Sequence, residues 1–249
     1  MKKLILQIAV LMPMIINAQN WELFPLNQKS WYQKDFFWDS YRVNAILMDS
    51  VKPDGGGEIL FFRKKHEIPG IGGCRESFPD YLLNWNGSDE MDSVVRVGNT
   101  VFYYDNTSSL PFRFRPKAEV GESWVVTSDY PNNDYDKITI TCAGKTTASF
   151  LGITDSVKTF TLTPNGSSSG QASISNFQIR LSKNYGLLEY VPFRQFLYHP
   201  PSLDFTSRKL LGFDNGSMKA GYQQPLLQDY FQFGAGDILK WHRYFDPGI

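Results

Sequence analysis

Phe177-Gln178-Ile179-Arg180-Leu181-Ser182 alternates apolar and polar side chains at period two, Lys183-Asn184-Tyr185-Gly186 follows with turn chemistry, and Leu187-Leu188-Glu189-Tyr190-Val191 offers a second apolar run. This spacing predicts a β-hairpin over 177–191. The same alternation recurs at 111–115, 137–142 and 158–162, and residues 96–104 hold two strand-like pieces around a Gly98-Asn99 turn. No window of twelve residues carries an apolar period of 3.6, and 75–85 is the one place for a short helix. Gly-rich breaks at 54–57, 70–73, 165–170 and 214–217 separate the strands. The chain is therefore expected to be mainly β, an antiparallel sandwich or barrel-like fold with few or no long helices.

Composition agrees with that expectation and narrows the partners. Nineteen Phe, thirteen Tyr and six Trp stand beside 20 Gly and 14 Pro, a mixture suited to short strands and turns. At the amino terminus, Lys2-Lys3 precede an apolar run from Leu4 to Ile16, broken by Gln7 and Pro13, and the small Ala18 follows. That pattern predicts a signal peptide at 1–18 and a mature β-rich region at 19–249. The apolar run is shorter than the roughly 20 residues that cross a bilayer, and no later run matches it, so no transmembrane segment is expected after signal removal. Without Lys2 and Lys3 the charge is about −2, which leaves no basic field to attract nucleic acid. The Pro-rich stretch at 110–117, with strand patterns on either side, is the best place for a division of the β-rich region.

Two echoes run through the chain. Asp-Ser-Val occurs at Asp49-Ser50-Val51, Asp92-Ser93-Val94 and Asp155-Ser156-Val157, each time at a strand boundary. Val120-Gly121-Glu122-Ser123-Trp124-Val125-Val126 is echoed by Ala235-Gly236-Asp237-Ile238-Leu239-Lys240-Trp241, a glycine-acid corner before an apolar start. The second copy has little chain after it, and the expectation is that the polypeptide is the front part of something longer.

Ser149 to Thr159, Leu181 to Leu187 and Phe233-Gly234-Ala235-Gly236-Asp237 resemble recurring phrases of secreted Bacteroidota proteins that carry a C-terminal sorting domain for type IX secretion. The Ala18-Gln19 break is similar to signal cleavage in that phylum. No sorting segment of that kind is recognised after residue 200. The resemblance implies an extracellular or cell-surface location, or a periplasmic one where no sorting domain exists, and it implies no reaction. It also gives Ser50, Ser93 and Ser156 a reading as O-glycosylation sites, because proteins of that envelope are modified at Asp followed by Ser or Thr and an apolar residue. The alternative for the tripeptide is an Asx-type turn feeding a β-branched strand residue.

Catalytic constellations are weak. Gly166-Ser167-Ser168-Ser169-Gly170 fits G-x-S-x-G, but it lies in a Ser/Gly-rich loop without the strand-to-helix elbow that exposes a nucleophile. His66, His199 and His242 are scattered without metal-ligand spacing. Asp129 to Asp136 concentrates oxygen donors yet lacks the glycine and closing glutamate of a calcium loop, so an ordinary polar turn is the favoured reading. No catalytic residue, cofactor or metal ligand is assigned. Cys74 and Cys142 either close a disulfide loop of 68 residues, worth about 4 kcal/mol, or are two buried thiols. Trp31, Tyr32, Phe36, Phe37 and Trp38 form a dense aromatic patch, either a packed cap or an exposed contact surface. Together these readings favour a secreted or cell-surface module with a non-enzymatic role in binding, adhesion or envelope assembly, its partner a glycan or an envelope protein. An extracellular hydrolase acting on polysaccharide or protein is the competing class.

Overall fold

Period-two sequence becomes antiparallel ladder through most of the chain. The computed structural model describes residues 21–34, 42–62, 93–104, 109–128, 135–165, 173–197 and 205–223. Its strands are β1 (Lys29–Lys34), β2 (Arg42–Asp54), β3 (Gly57–Phe62), β4 (Ser93–Val97), β5 (Thr100–Tyr104), β6 (Phe112–Phe114), β7 (Ser123–Thr127), β8 (Lys137–Phe150), β9 (Ile153–Asn165), β10 (Gln178–Ser182), β11 (Gly186–Tyr190), β12 (Arg208–Asp214) and β13 (Lys219–Gly221). A 3-10 turn at Ser173–Asn176 and one short helix, α1 (Phe193–Leu197), complete the described elements.

Strand order is β6-β5-β4-β3-β2-β1-β12-β11-β10-β9-β8-β7, with β13 paired to the end of β12. β1 to β6 and β7 to β12 each pair as consecutive neighbours in sequence, and β12 returns to β1. β2 belongs to both halves: Arg42 to Leu47 pair with β1, and Met48 to Asp54 pair with β3 across a bulge between Met48 and Ser50. A bulge bends a strand and raises its twist, so β2 passes from one sheet to the other. The first sheet is the end of β2 with β3 to β6. The second contains β1, the start of β2 and β7 to β13. The two pack as an antiparallel sandwich, and among the described residues the path does not close into a barrel.

Alternation decides which side chains enter the core. Phe112 and Phe114 point inward from β6 with Arg113 outward, and Trp124 and Val126 point inward from β7. α1 fills the space between the sheets. Phe193 stacks on Phe112 at 4.7 Å and meets Tyr103 of β5 at 4.5 Å and Tyr190 of β11 at 5.5 Å. One buried cluster draws on residues from both sides of 110–117.

A smaller aromatic group covers the other side of the second sheet. The β8–β9 hairpin turns at Leu151 and Gly152, both at positive φ, and its tip folds back so that Phe150 meets Tyr185, which packs on Phe213 at 4.8 Å. Trp31 is held there edge-on against Tyr222, while its neighbour Tyr32 faces the main core and donates its hydroxyl to the Leu187 carbonyl at 3.0 Å. Both faces of β1 are thereby covered.

The amino-terminal segment is fastened to the β10–β11 turn. Leu187 N–H donates to the Leu23 carbonyl at 3.0 Å, and Gly186, at φ +81°, lies against it. A Cβ at 186 would stand 2.6 Å from the Leu23 oxygen and 2.7 Å from Pro25 Cδ. Gly186→Ala combines that clash with an unfavourable φ, and we expect a loss of about 2 kcal/mol of stability in chemical denaturation.

Candidate functional site

The outer face of the first sheet carries an aligned array of apolar side chains directed away from the core. Its orientation follows from the opposite face: Leu60, Val94, Val101, Tyr103, Phe112 and Phe114 are all buried. Residues of the other phase therefore look outward. The register aligns Lys52 with Ile59, Ile59 with Val95, Val95 with Phe102, and Phe102 with Arg113. The row is cation, three apolar residues, cation, and four interstrand steps give it a width of about 19 Å.

A second row adds aromatic surface. Phe61 pairs with Ser50, and Tyr104 pairs with Ser93. Carrying the β3–β4 register on by one residue sets Phe61 level with Ser93, so Phe61 and Tyr104 stand two strands, about 10 Å, apart. They are 44% and 41% exposed, and Val97 at the other end of β4 is 48% exposed. Grouped apolar exposure of this kind marks a contact surface more than scattered single residues do. The chemistry it offers is apolar contact at the centre and positive charge at both ends.

The buried polar chemistry lies elsewhere, at the end of the core near Trp21. Lys158 is wholly buried, yet its Nζ donates to the Ala118 carbonyl at 2.7 Å and lies 4.5 Å from the Trp21 ring centre. Lys145, directly opposite on β8, lies 5.6 Å from the same ring. Burial pushes the Lys158 pKa down, opposed by the negative charge of Glu119. Burial also raises the pKa of Cys142, against the nearby Lys158 charge. This arrangement ties the 115–122 connection to β9. A neighbouring cavity of about 30 Å³, bordered by Trp21, Leu60, Arg96 and Tyr103, has room for about one water. At its rim Arg96 donates to Glu58 and to Glu22, each at 2.7 Å.

The residues singled out from sequence are dispersed by the fold. Trp31 and Tyr32 are 4% and 1% exposed, so neither presents a surface to a partner: Tyr222 covers Trp31 on one face of β1, and the main core covers Tyr32 on the other. Phe36, Phe37 and Trp38 lie outside the described residues, as do Cys74, 1–20, 75–85, 129–134 and the echo at 235–241. Cys142 is a buried thiol on the core face of β8. Ser50 is exposed on β2. Ser93 opens β4, and Ser156 sits half-buried in β9 opposite Thr147.

The third Asp-Ser-Val has a definite structural task. Asp155 accepts from its own neighbour's amide, Ser156 N, at 2.8 Å, and from Asn184 N and Nδ2 at 2.9 and 3.0 Å. It also accepts from the Ser182 hydroxyl. One carboxylate thus caps the β10–β11 turn from β9, an Asx-type use of the aspartate.

Lys158 was readable in principle. It shares the phase of Phe160 and Leu162, so strict alternation places it inward. The outward row was harder to find, because Ile59, Val95 and Phe102 come from three strands, and only register aligns them. Among the described residues, no group of three His, Cys, Asp or Glu is placed to hold a metal ion, and no helix is long and apolar enough to cross a membrane. No family model, curated protein or solved structure matches the chain.

Proposed function

We propose that the chain is an exported binding module of the cell surface or envelope, which meets a glycan or an envelope protein with the outer face of its first sheet. The observation that carries this reading is the aligned row Ile59, Val95 and Phe102, extended by the exposed Phe61, Tyr104 and Val97 and flanked by Lys52 and Arg113. Water leaves such a surface readily when a partner covers it, at about 25 cal/mol per Å² of apolar area. The amino-terminal pattern at 1–18 and the phrases of secreted proteins support the location.

Retention of the purified protein on isolated cell envelopes tests the reading. Phe61→Ser with Tyr104→Ser is expected to weaken retention at least about tenfold, the loss of two aromatic contacts of roughly 1 kcal/mol each, while the melting temperature changes little. Equal retention of the double variant would refute the role of this face. Turnover of a polysaccharide or protein substrate in a parallel screen would favour the hydrolase class.

A further inference from the structure

The exposed aromatics and cations on the outer face of the first sheet fall into two matching units. Phe61 of β3 stands two residues along from Ile59, which pairs with Lys52 of the neighbouring β2. Tyr104 of β5 stands two residues along from Phe102, which pairs with Arg113 of the neighbouring β6. Each ring therefore has one cation on the next strand outward, displaced by two residues, and diagonal neighbours of that kind lie about 7–8 Å apart. All four side chains are exposed. The rings are about 10 Å apart and the cations about 19 Å, with apolar residues filling the row between the cations.

Charge and area together limit what this face can hold. The whole chain is balanced, with 25 Lys+Arg against 25 Asp+Glu, yet both ends of the row are positive. Among the described residues the acid that shares the face is Asp54, at the β2–β3 turn. Glu58 has the opposite phase, and Arg96 donates to it there at 2.7 Å. Two rows about 19 Å long and about 7 Å apart cover roughly 300 Å². A folded protein partner, a second copy included, ordinarily covers about 800 Å² on each side. A narrow strip with a cation at either end suits one extended chain of negative charge.

We propose that this face binds an acidic polysaccharide, a linear glycan with carboxylates along an extended backbone, laid across the strands from β2 to β6. The inference rests on the reading of this face as a contact surface and specifies its partner. An extended chain of pyranose rings advances by roughly one ring for each interstrand step of about 4.8 Å. Phe61 and Tyr104, two steps apart, then stack against the apolar C–H faces of alternate sugars, and Lys52 and Arg113 meet carboxylates toward the two ends. Arg113 spends one N–H on the Val125 carbonyl at 3.2 Å, which steadies the guanidinium and leaves further donors for a carboxylate.

The probe is a hexamer of β-linked mannuronate, with the matching β-linked mannose hexamer, which lacks the carboxylates, as its neutral counterpart. Each is titrated calorimetrically into the full chain. One mannuronate hexamer is expected to bind per chain, about tenfold more tightly than the neutral one at low salt, and the difference should largely vanish at about 1 M salt, where charges are screened beyond about 3 Å. Lys52→Gln and Arg113→Gln are each expected to weaken mannuronate binding about threefold, the effect of one exposed ion pair, and to leave the neutral hexamer unaffected. Arg113→Lys keeps the charge and should stay within about twofold of the parent, which separates the charge from the contact with Val125. Equal affinity for the two hexamers would overturn the proposal, as would mannuronate binding that both glutamine variants leave unchanged. Binding to phosphatidylglycerol vesicles in place of the hexamer would overturn it in favour of a lipid surface. Retention on cell envelopes that depends on Phe61 and Tyr104 but ignores an excess of polymannuronate would overturn the choice of partner alone, and retention that ignores both aromatics would remove the contact surface as well.

Discussion

Phe193→Ala is expected to lower the free energy of unfolding by about 4 kcal/mol, the upper part of the range for a fully buried aromatic. The ring is wholly buried and touches aromatics from four parts of the chain: Phe24 of the amino-terminal segment, Tyr103 of β5, Phe112 and Phe114 of β6, and Tyr190 of β11. Those partners belong to both sheets. Removing it leaves a void that neither sheet can close without sliding past the other, so relaxation recovers little of the loss. Chemical denaturation followed by tryptophan fluorescence measures the change, with the midpoint falling at unchanged slope. A loss below about 1 kcal/mol would mean that α1 does not join the sheets.

The short helix that carries this ring was invisible in the sequence. Phe193 to Leu197 is five residues long, too short to display a 3.6-residue period, and Val191-Pro192 before it reads only as a strand ending. Its existence rests on tertiary packing, since an isolated turn of helix has no stability of its own. The hairpin at 177–191 was legible because both of its signals are local: period-two alternation and a turn with Gly186 at positive φ. The β8–β9 hairpin hid its turn. Leu151 adopts φ +49°, a conformation usually left to Gly or Asn, at the end of long flanking ladders. Local sequence therefore gave strand propensity on both sides without marking where the chain reverses.

The same division applies to the sites. Aromatic density at 31–38 drew attention to Trp31 and Tyr32, but density alone does not distinguish a strand covered on both faces from one that is open. Exposure is a property of what lies above a residue, and Tyr222, which covers Trp31, is nearly two hundred positions away. The β7 edge likewise depends on where the path of strands ends, which is a matter of topology. Its lack of a ladder partner could not be read in advance.

Lys158 gives the second large effect, and its substitutions separate packing from charge. Lys158→Ala is expected to cost about 3 kcal/mol, because it opens a cavity at the Trp21 end of the core and strips the Ala118 carbonyl of its donor. Lys158→Met keeps most of the volume and removes a buried ammonium, whose desolvation offsets much of what its contacts contribute, so the loss should stay within about 1 kcal/mol. The charge has a separate signature in pH. Because burial holds the Lys158 pKa below its ordinary 10.5, the unfolded chain binds more protons than the native one between the depressed value and 10.5, and stability rises with pH across that window. Cys142 acts in the opposite sense. Its pKa is raised by burial above 9.0, so the native thiol keeps a proton that the unfolded one has lost, and its contribution falls as pH climbs from 9.0 toward the raised value. In Cys142→Ala the contribution of the lysine stands alone, and the unfolding free energy should increase as pH rises from the depressed value toward 10.5, relative to the Lys158→Met, Cys142→Ala double variant, which is the reference for all other groups. Parallel pH profiles for those two proteins would show that the amine is as well solvated as in the unfolded chain. A rising difference would establish that the Lys158 amine, which holds the connection between β6 and β7 through the Ala118 carbonyl, is buried at a cost to its charged form.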